Sequence, residues 1–258
     1  SDAVIRKVSG DVGLTAVIIL SDTVQPSTTG GTVSGVVIDN VTGSPGTGAL
    51  VDVAHPDVKA LTVRNLCIAK ASQLRALTVN QSGTRVYDLV VDGITTPVTH
   101  TGAVLHVGSG ATVDRLTVAN ASVTQSGAGV LLACDGTVSH AQASNVRQVG
   151  GASLVALNGS CPILSVAGLF CTANNGVVSA ANSAVEVHLT GVTGTPSNGR
   201  LALNYSTSGT VALRASQITG TATAHLYRSA AQAIRAVGVD VRVDVSTLTP
   251  VAGDVATN

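Results

Sequence analysis

Short runs in which apolar and polar residues alternate recur along the chain at a nearly constant interval. The clearest is a six-residue stretch found nine times: VVIDNV from Val36, LTVRNL from Leu61, LVVDGI from Leu89, LTVANA from Leu116, AQASNV from Ala141, VAGLFC from Val166, LTGVTG from Leu189, LRASQI from Leu213 and VGVDVR from Val237. Successive starts lie 25, 28, 27, 25, 25, 23, 24 and 24 residues apart. Alternation with a period of two marks strands with one buried face. A repeat length in the twenties marks units that cannot bury an apolar face alone and must stack on their neighbours.

One period predicts three short strands. From Leu61, LTVRNL alternates until Asn65; ALTVN from Ala76 is a second run, and RVYDLVV, after the turn QSGT, is a third that leads into the next copy. The second run recurs as ALVDV from Ala49, AVLHV from Ala103 and SLVAL from Ser153. No segment of helical length and period separates the runs, which argues against βαβ alternation and for an all-β parallel coil of three strands per ~25-residue turn. The coil is predicted over 33–245. The irregular segment 1–32 is read as a cap or attachment piece, and 246–258 as a cover for the last strand edges, where Pro250 would stop further strand addition. Leu61, Leu89, Leu116, Leu189 and Leu213 are expected to form one inward stack.

Composition narrows the function. Hydrophobic residues are 45% of the chain, aromatics only 2% and charged residues 11%, with a formal net charge of zero. No basic stripe with interleaved aromatics suits a nucleic acid. No apolar run is long enough for a membrane span, and the opening SDAVIRKVSGDVG has no apolar core of a secretory signal, so neither is expected. The four cysteines (Cys67, Cys134, Cys161, Cys171) include no C-x-x-C pair; they are read as small buried hydrophobes, with Cys134 and Cys161 one period apart and so open to a disulfide.

The fifth residue of the first five copies is Asn40, Asn65, Gly93, Asn120 and Asn145. Asn and Gly are the residues that tolerate a left-handed bend. In the later copies as aligned, the position holds Phe170, Thr193, Gln217 and Val241, so the column is expected to lapse there. With the period and the three-strand layout, this column resembles the asparagine ladder of the right-handed parallel β-helix, the pectate-lyase-like superfold, of the kind seen in bacteriophage tail spikes and fibres.

That superfold hosts many activities, so a site must decide. The fourth motif position carries Asp39, Arg64 and Asp92 on successive turns. At about 4.8 Å per strand the two carboxylates would stand roughly 9–10 Å apart, the upper edge of an inverting glycosidase pair. Arg64 between them makes a solvated charge ladder the plainer reading, so these three are fallback candidates and no catalytic residue is assigned. Asp52, Thr78 and His106 form a second outward column, and His140 and His188 are expected to flank Ser165; no Ser–His–Asp trio, metal site or cofactor motif is expected. The resemblance therefore implies a non-enzymatic virion protein: a spike, fibre or head-decoration protein, homotrimeric, made in the host cytoplasm, attached to other virion proteins through its N-terminal segment, and open to contact with host surface polysaccharide. A polysaccharide lyase or hydrolase on the same fold and a bacterial surface adhesin or coat protein are the alternatives.

Overall fold

The computed structural model describes the backbone of residues 3–10, 16–20, 31–44, 48–69, 75–174, 176–180, 185–194, 200–204, 211–220, 225–228, 234–243 and 255–257, and side chains over 3–9, 31–44, 48–69, 75–174, 176–179 and 185–194. Every element among them is a strand. One sheet takes the longer strands in the order β1 (Ala3–Gly10), β3 (Val36–Gly43), β5 (Asp57–Ile68), β7 (Arg85–His100), β9 (Thr112–Gln125), β11 (Thr137–Gly150), β13 (Ile163–Cys171), β15 (Val185–Thr193), β17 (Val211–Gly220), β19 (Ile234–Val243) and β20 (Val255–Thr257). The other takes short strands in the same progression: β2 (Ala16–Leu20), β4 (Ala49–Val53), β6 (Arg75–Val79), β8 (Ala103–Val107), β10 (Val130–Cys134), β12 (Ser153–Leu157), β14 (Val178–Ala180), β16 (Arg200–Asn204) and β18 (His225–Arg228). All pairings are parallel, as in Leu61 opposite Leu89 and Leu89 opposite Leu116. The chain is a parallel β-solenoid whose turns each place one strand in either sheet.

The three runs predicted per turn become two strands. The run entering each motif and the motif itself form one continuous strand, as in β5, where DVKALTVRNLCI carries one ladder from end to end. Such a strand turns a corner by a single residue in the left-handed region. Asn65 has φ 53°, and it resets the alternation, so Leu61 and Val63 face inward before it and Leu66 and Ile68 after it. Each fully buried leucine of this kind contributes about 1.5–3 kcal/mol.

The motif register shifts relative to the sequence alignment after Ala141. Ala141 pairs with Leu164, not Val166, and Leu164 pairs with Val187, not Leu189. The inward stack is thus Leu61, Leu89, Leu116, Ala141, Leu164 and Val187; Leu189 belongs to the neighbouring stack with Val166. Leu213 pairs with Val187 along the backbone, and its side chain lies outside the described residues. The cause is the corner: Gly168 and Gly191, each at φ 63°, take the bend, so Phe170 and Thr193 fall two residues past it. The predicted lapse of the column in those two turns is an error of register.

The solenoid also starts earlier than 33. Ala3–Gly10 pairs with Val36–Gly43 and Ala16–Leu20 with Ala49–Val53, so the segment 1–32 supplies a strand to each sheet. Lys7 stands at the corner with φ 54°. At the other end β20 pairs with β19, while Pro250 lies outside the described residues.

Candidate functional site

The fourth-position residues are neighbours in the ladder: Asp39 pairs with Arg64 and Arg64 with Asp92. Arg6 pairs with Asp39 on the other side, extending the alternation of charge by one strand. Each aspartate is engaged by a corner asparagine one turn on: Asn65 Nδ2 donates to Asp39 Oδ1 at 2.9 Å, and Asn120 Nδ2 to Asp92 Oδ1 at 2.7 Å. Asn145 Nδ2 then donates to Asn120 Oδ1 at 2.6 Å. The asparagine and aspartate columns therefore share an exposed corner in two hydrogen-bonded runs, Asp39–Asn65 and Asp92–Asn120–Asn145. Asn40, Asn65, Asn120 and Asn145 all have φ between 51° and 59°, and Gly93 has φ 79°. A Cβ on Gly93 would stand 3.0 Å from Asn65 Oδ1, so Gly suits both the backbone and the space. The two carboxylates stand two strands apart, and each accepts from an amide on one oxygen.

A tighter constellation lies at one end of the short-strand sheet. Asp52, Thr78 and His106 are successive register partners on β4, β6 and β8. His106 Nε2 is 2.9 Å from Asp135 Oδ2, and His106 Nδ1 is 3.3 Å from Thr78 Oγ1. Asn158 Nδ2 donates to Asp135 Oδ1 at 2.8 Å. A carboxylate, an imidazole and a threonine hydroxyl thus fall in one place, an arrangement that the expectation about Ser–His–Asp did not cover. The missing member was Asp135. It sits one residue beyond β10 in the turn Asp135–Gly136, so the column reasoning, which followed strand positions only, passed over it. Its signal was present as two turn dipeptides one period apart, Asp135–Gly136 and Asn158–Gly159. A Cβ on Gly136 would collide with the Gly108 carbonyl oxygen, which explains why glycine follows the aspartate.

Burial sets the electrostatics of this cluster. It lowers the pKa of His106; the bond to Asp135 opposes the shift and the positive charge of Arg75 adds to it. Burial raises the pKa of Asp52, partly offset by Arg75, and Asp52 Oδ1 is buried without a hydrogen-bond partner. At Asp135 burial acts upward, but the bonds from Asn158 and His106, with the charges of His106 and Arg75, hold the carboxyl below its usual value. The connectivity is that of an activated nucleophile. Yet Thr78 is only 4% exposed and His106 6%, so no substrate reaches the hydroxyl in this conformation. The trio ties successive turns together.

The other histidines are placed differently from expectation. His140 pairs with Arg115, while Ser165 lies between Gln142 and His188, so His140 does not flank Ser165. His188 Nε2 meets Glu186 Oε1 at 3.1 Å. All four cysteines are free thiols; burial pushes Cys134 and Cys161 up to about 12 and Cys171 up to about 11, which leaves them protonated and unreactive at neutral pH. Among the described residues no group of three or more His, Cys, Asp or Glu side chains could hold a metal ion.

Inside the coil runs a polar file with no counterpart in the sequence reading. Gln148 Nε2 donates to Gln125 Oε1 at 2.7 Å and to Ser153 O at 2.9 Å, and Gln125 Nε2 donates to Val130 O at 2.7 Å. His100 pairs with Gln125 in the ladder and is fully buried. It reaches that place through an irregularity: β7 advances from Thr96 to His100 while β9 advances from Val123 to Gln125, across Pro97, which has no amide hydrogen to give. Compared with known protein families, characterised proteins and solved structures, the chain has no match in any of the three.

Proposed function

We propose that the chain is a non-enzymatic structural protein of a bacteriophage virion, a right-handed parallel β-helix serving as a spike, fibre or head-decoration component and working as a homotrimer. The observation that carries this reading is how the outward polar groups are used. Asp39 and Asp92 are held by corner asparagines, Arg115 forks onto Asp88, and Arg85 reaches Asp114 at 2.9 Å. Lys59 and Arg85 both pack on Tyr87, at 3.6 and 4.5 Å from the ring centre, so this ring is already covered and does not offer a sugar an open face. Polar side chains spent on their neighbours along the axis suit a rigid rod better than a catalytic groove. Trimer formation follows from the resemblance and from the scarcity of outward charge, which favours burial against identical copies.

The test is the solution mass together with a sugar-release assay. Light scattering at micromolar concentration is expected to give three times the chain mass of 25.5 kDa; a stable monomer would overturn the trimer. Incubation with host surface polysaccharide is expected to release no reducing or unsaturated ends. Release that disappears in Asp39→Asn or Asp92→Asn would overturn the non-enzymatic reading and move the site to that column.

A further inference from the structure

Two large apolar side chains stand exposed among the described residues, Val4 at 55% and Ile163 at 38%. Both lie on the outer face of the long-strand sheet, ahead of its corner. Val4 pairs with Val37, and that column runs on through Thr62, Val90, Thr117, Gln142 and Ser165. Alternation turns it outward: Thr62 is half-buried between the buried Leu61 and Val63. None of its seven residues carries a charge, and the first group that can is His188, which is bound to Glu186. Charge lies on either side instead. Two residues on stand Arg6, Asp39, Arg64 and Asp92. Two residues back stand Asp88, Arg115 and His140, and Ile163 holds the same place before Ser165.

We propose that this face is the threefold seam between copies of the chain, with the column from Val4 to Ser165 nearest the axis, an assignment that rests on the homotrimer proposed above. In a parallel trimer a side chain near the axis meets its own two copies, so a charge there meets itself. A column without charge over seven turns can stand at that place. The other outward columns suit it less. The one past the corner carries Arg147, and the short strands present Thr78 and His106, which are already almost fully buried. A cyclic trimer also sets one flank of each copy against the opposite flank of the next. At equal height Asp92 would face the partner's Asp88, a like charge. Displaced by one turn, Arg64 faces the partner's Asp88, and Asp92 faces the partner's Arg115. One turn is about 4.8 Å and the flanks are about 13 Å apart, so a tilt of each coil by about 20° from the axis supplies the displacement. Arg115 is 70% exposed and forks onto its own Asp88 through two nitrogens, which leaves a third free to reach across.

Light scattering on the wild type, Thr117→Arg and Ser122→Arg tests the seam, with far-ultraviolet circular dichroism as the check on folding. Both positions face outward, but Ser122 lies past the corner, on the other side of Asn120. The wild type and Ser122→Arg are expected to be trimers. Thr117→Arg is expected to fall to the single-chain mass of 25.5 kDa with its strand spectrum unchanged. A monomeric wild type would overturn the homotrimer and the seam together. A trimeric wild type with a trimeric Thr117→Arg would overturn the seam alone and leave the homotrimer standing. If Thr117→Arg does not fold, the smaller replacement Thr117→Cys decides, made together with Cys67→Ser to remove the least buried native thiol. Mild oxidation is expected to link its chains in pairs on a non-reducing gel, and not those of Ser122→Cys in the same background. No linked pair from position 117, or equal linking from both positions, would place the seam elsewhere.

Discussion

Two amide files run along this solenoid, and they differ in everything except chemistry. Asn65, Asn120 and Asn145 line an exposed corner at positive φ, each donating to a partner one turn back. Gln125 and Gln148 stand inside the coil, almost fully buried, on ordinary extended backbone, and bind each other and main-chain carbonyls. Water can replace any bond the outer file loses; nothing replaces a bond lost by the inner one. The outer file should therefore matter chiefly through its backbone, and the inner file chiefly through its hydrogen bonds.

The largest effect should come from cutting the inner file. Gln125→Ala removes the side-chain donor to the Val130 carbonyl and the acceptor of the Gln148 amide, each at about 1–3 kcal/mol, with a cavity besides; the Gly102 carbonyl keeps its bond from Val130 N. A loss of roughly 3 kcal/mol or more in reversible urea unfolding is expected; a loss below about 1 kcal/mol would mean that water fills the gap and that the two files are equivalent.

The outer file allows a sharper separation of backbone from side chain. Asn120→Val forces a β-branched residue to hold φ 53° and deletes the bonds to Asp92 and Asn145, for an expected cost of about 1–3 kcal/mol. Asn120→Gly deletes the same bonds but accepts the bend freely, as Gly93, Gly168 and Gly191 already do in other turns. Its cost should stay below about 1 kcal/mol. Equal losses in the two variants would show that the ladder bonds, not the left-handed corner, hold the outer file.

How much of this was legible follows from where each feature writes itself. The period, the alternation and the Asn/Gly corner column repeat every turn, so the solenoid and its bend were readable. Register after Ala141 was not, because the apolar residues Val166 and Leu189 outweighed the glycines at 168 and 191 that mark the corner. Asp39, Arg64 and Asp92 fell into adjacent strands by simple counting, yet their engagement by asparagines depends on corner geometry that counting does not supply. Asp135 lies in a turn, outside the strand positions that counting follows, and His100 reaches Gln125 through an irregular pairing that the period does not supply.

The smallest effect, and the one that tells the files apart without altering the corner, is that of acid. The outer file contains no histidine, whereas the inner one ends at the fully buried His100. Burial lowers its pKa below the usual 6.5, and the Ala103 backbone acts on the ring too weakly to undo this. The folded state therefore prefers the neutral ring. The unfolded chain binds a proton first, so the stabilisation is complete above pH 6.5, shrinks as pH falls toward the folded-state value, and levels off below it, with a slope of at most about 1.4 kcal/mol per pH unit. His106 shifts in the same direction and adds a like contribution, so the wild type alone cannot apportion the slope. His100→Gln removes the titrating group while extending the amide file from Gln125 by one turn. Comparing urea midpoints at pH 7.5 and 5.5 should show a smaller acid loss in His100→Gln than in the wild type. An undiminished loss would place the whole acid response at His106 and leave the inner file insensitive to pH, like the outer one.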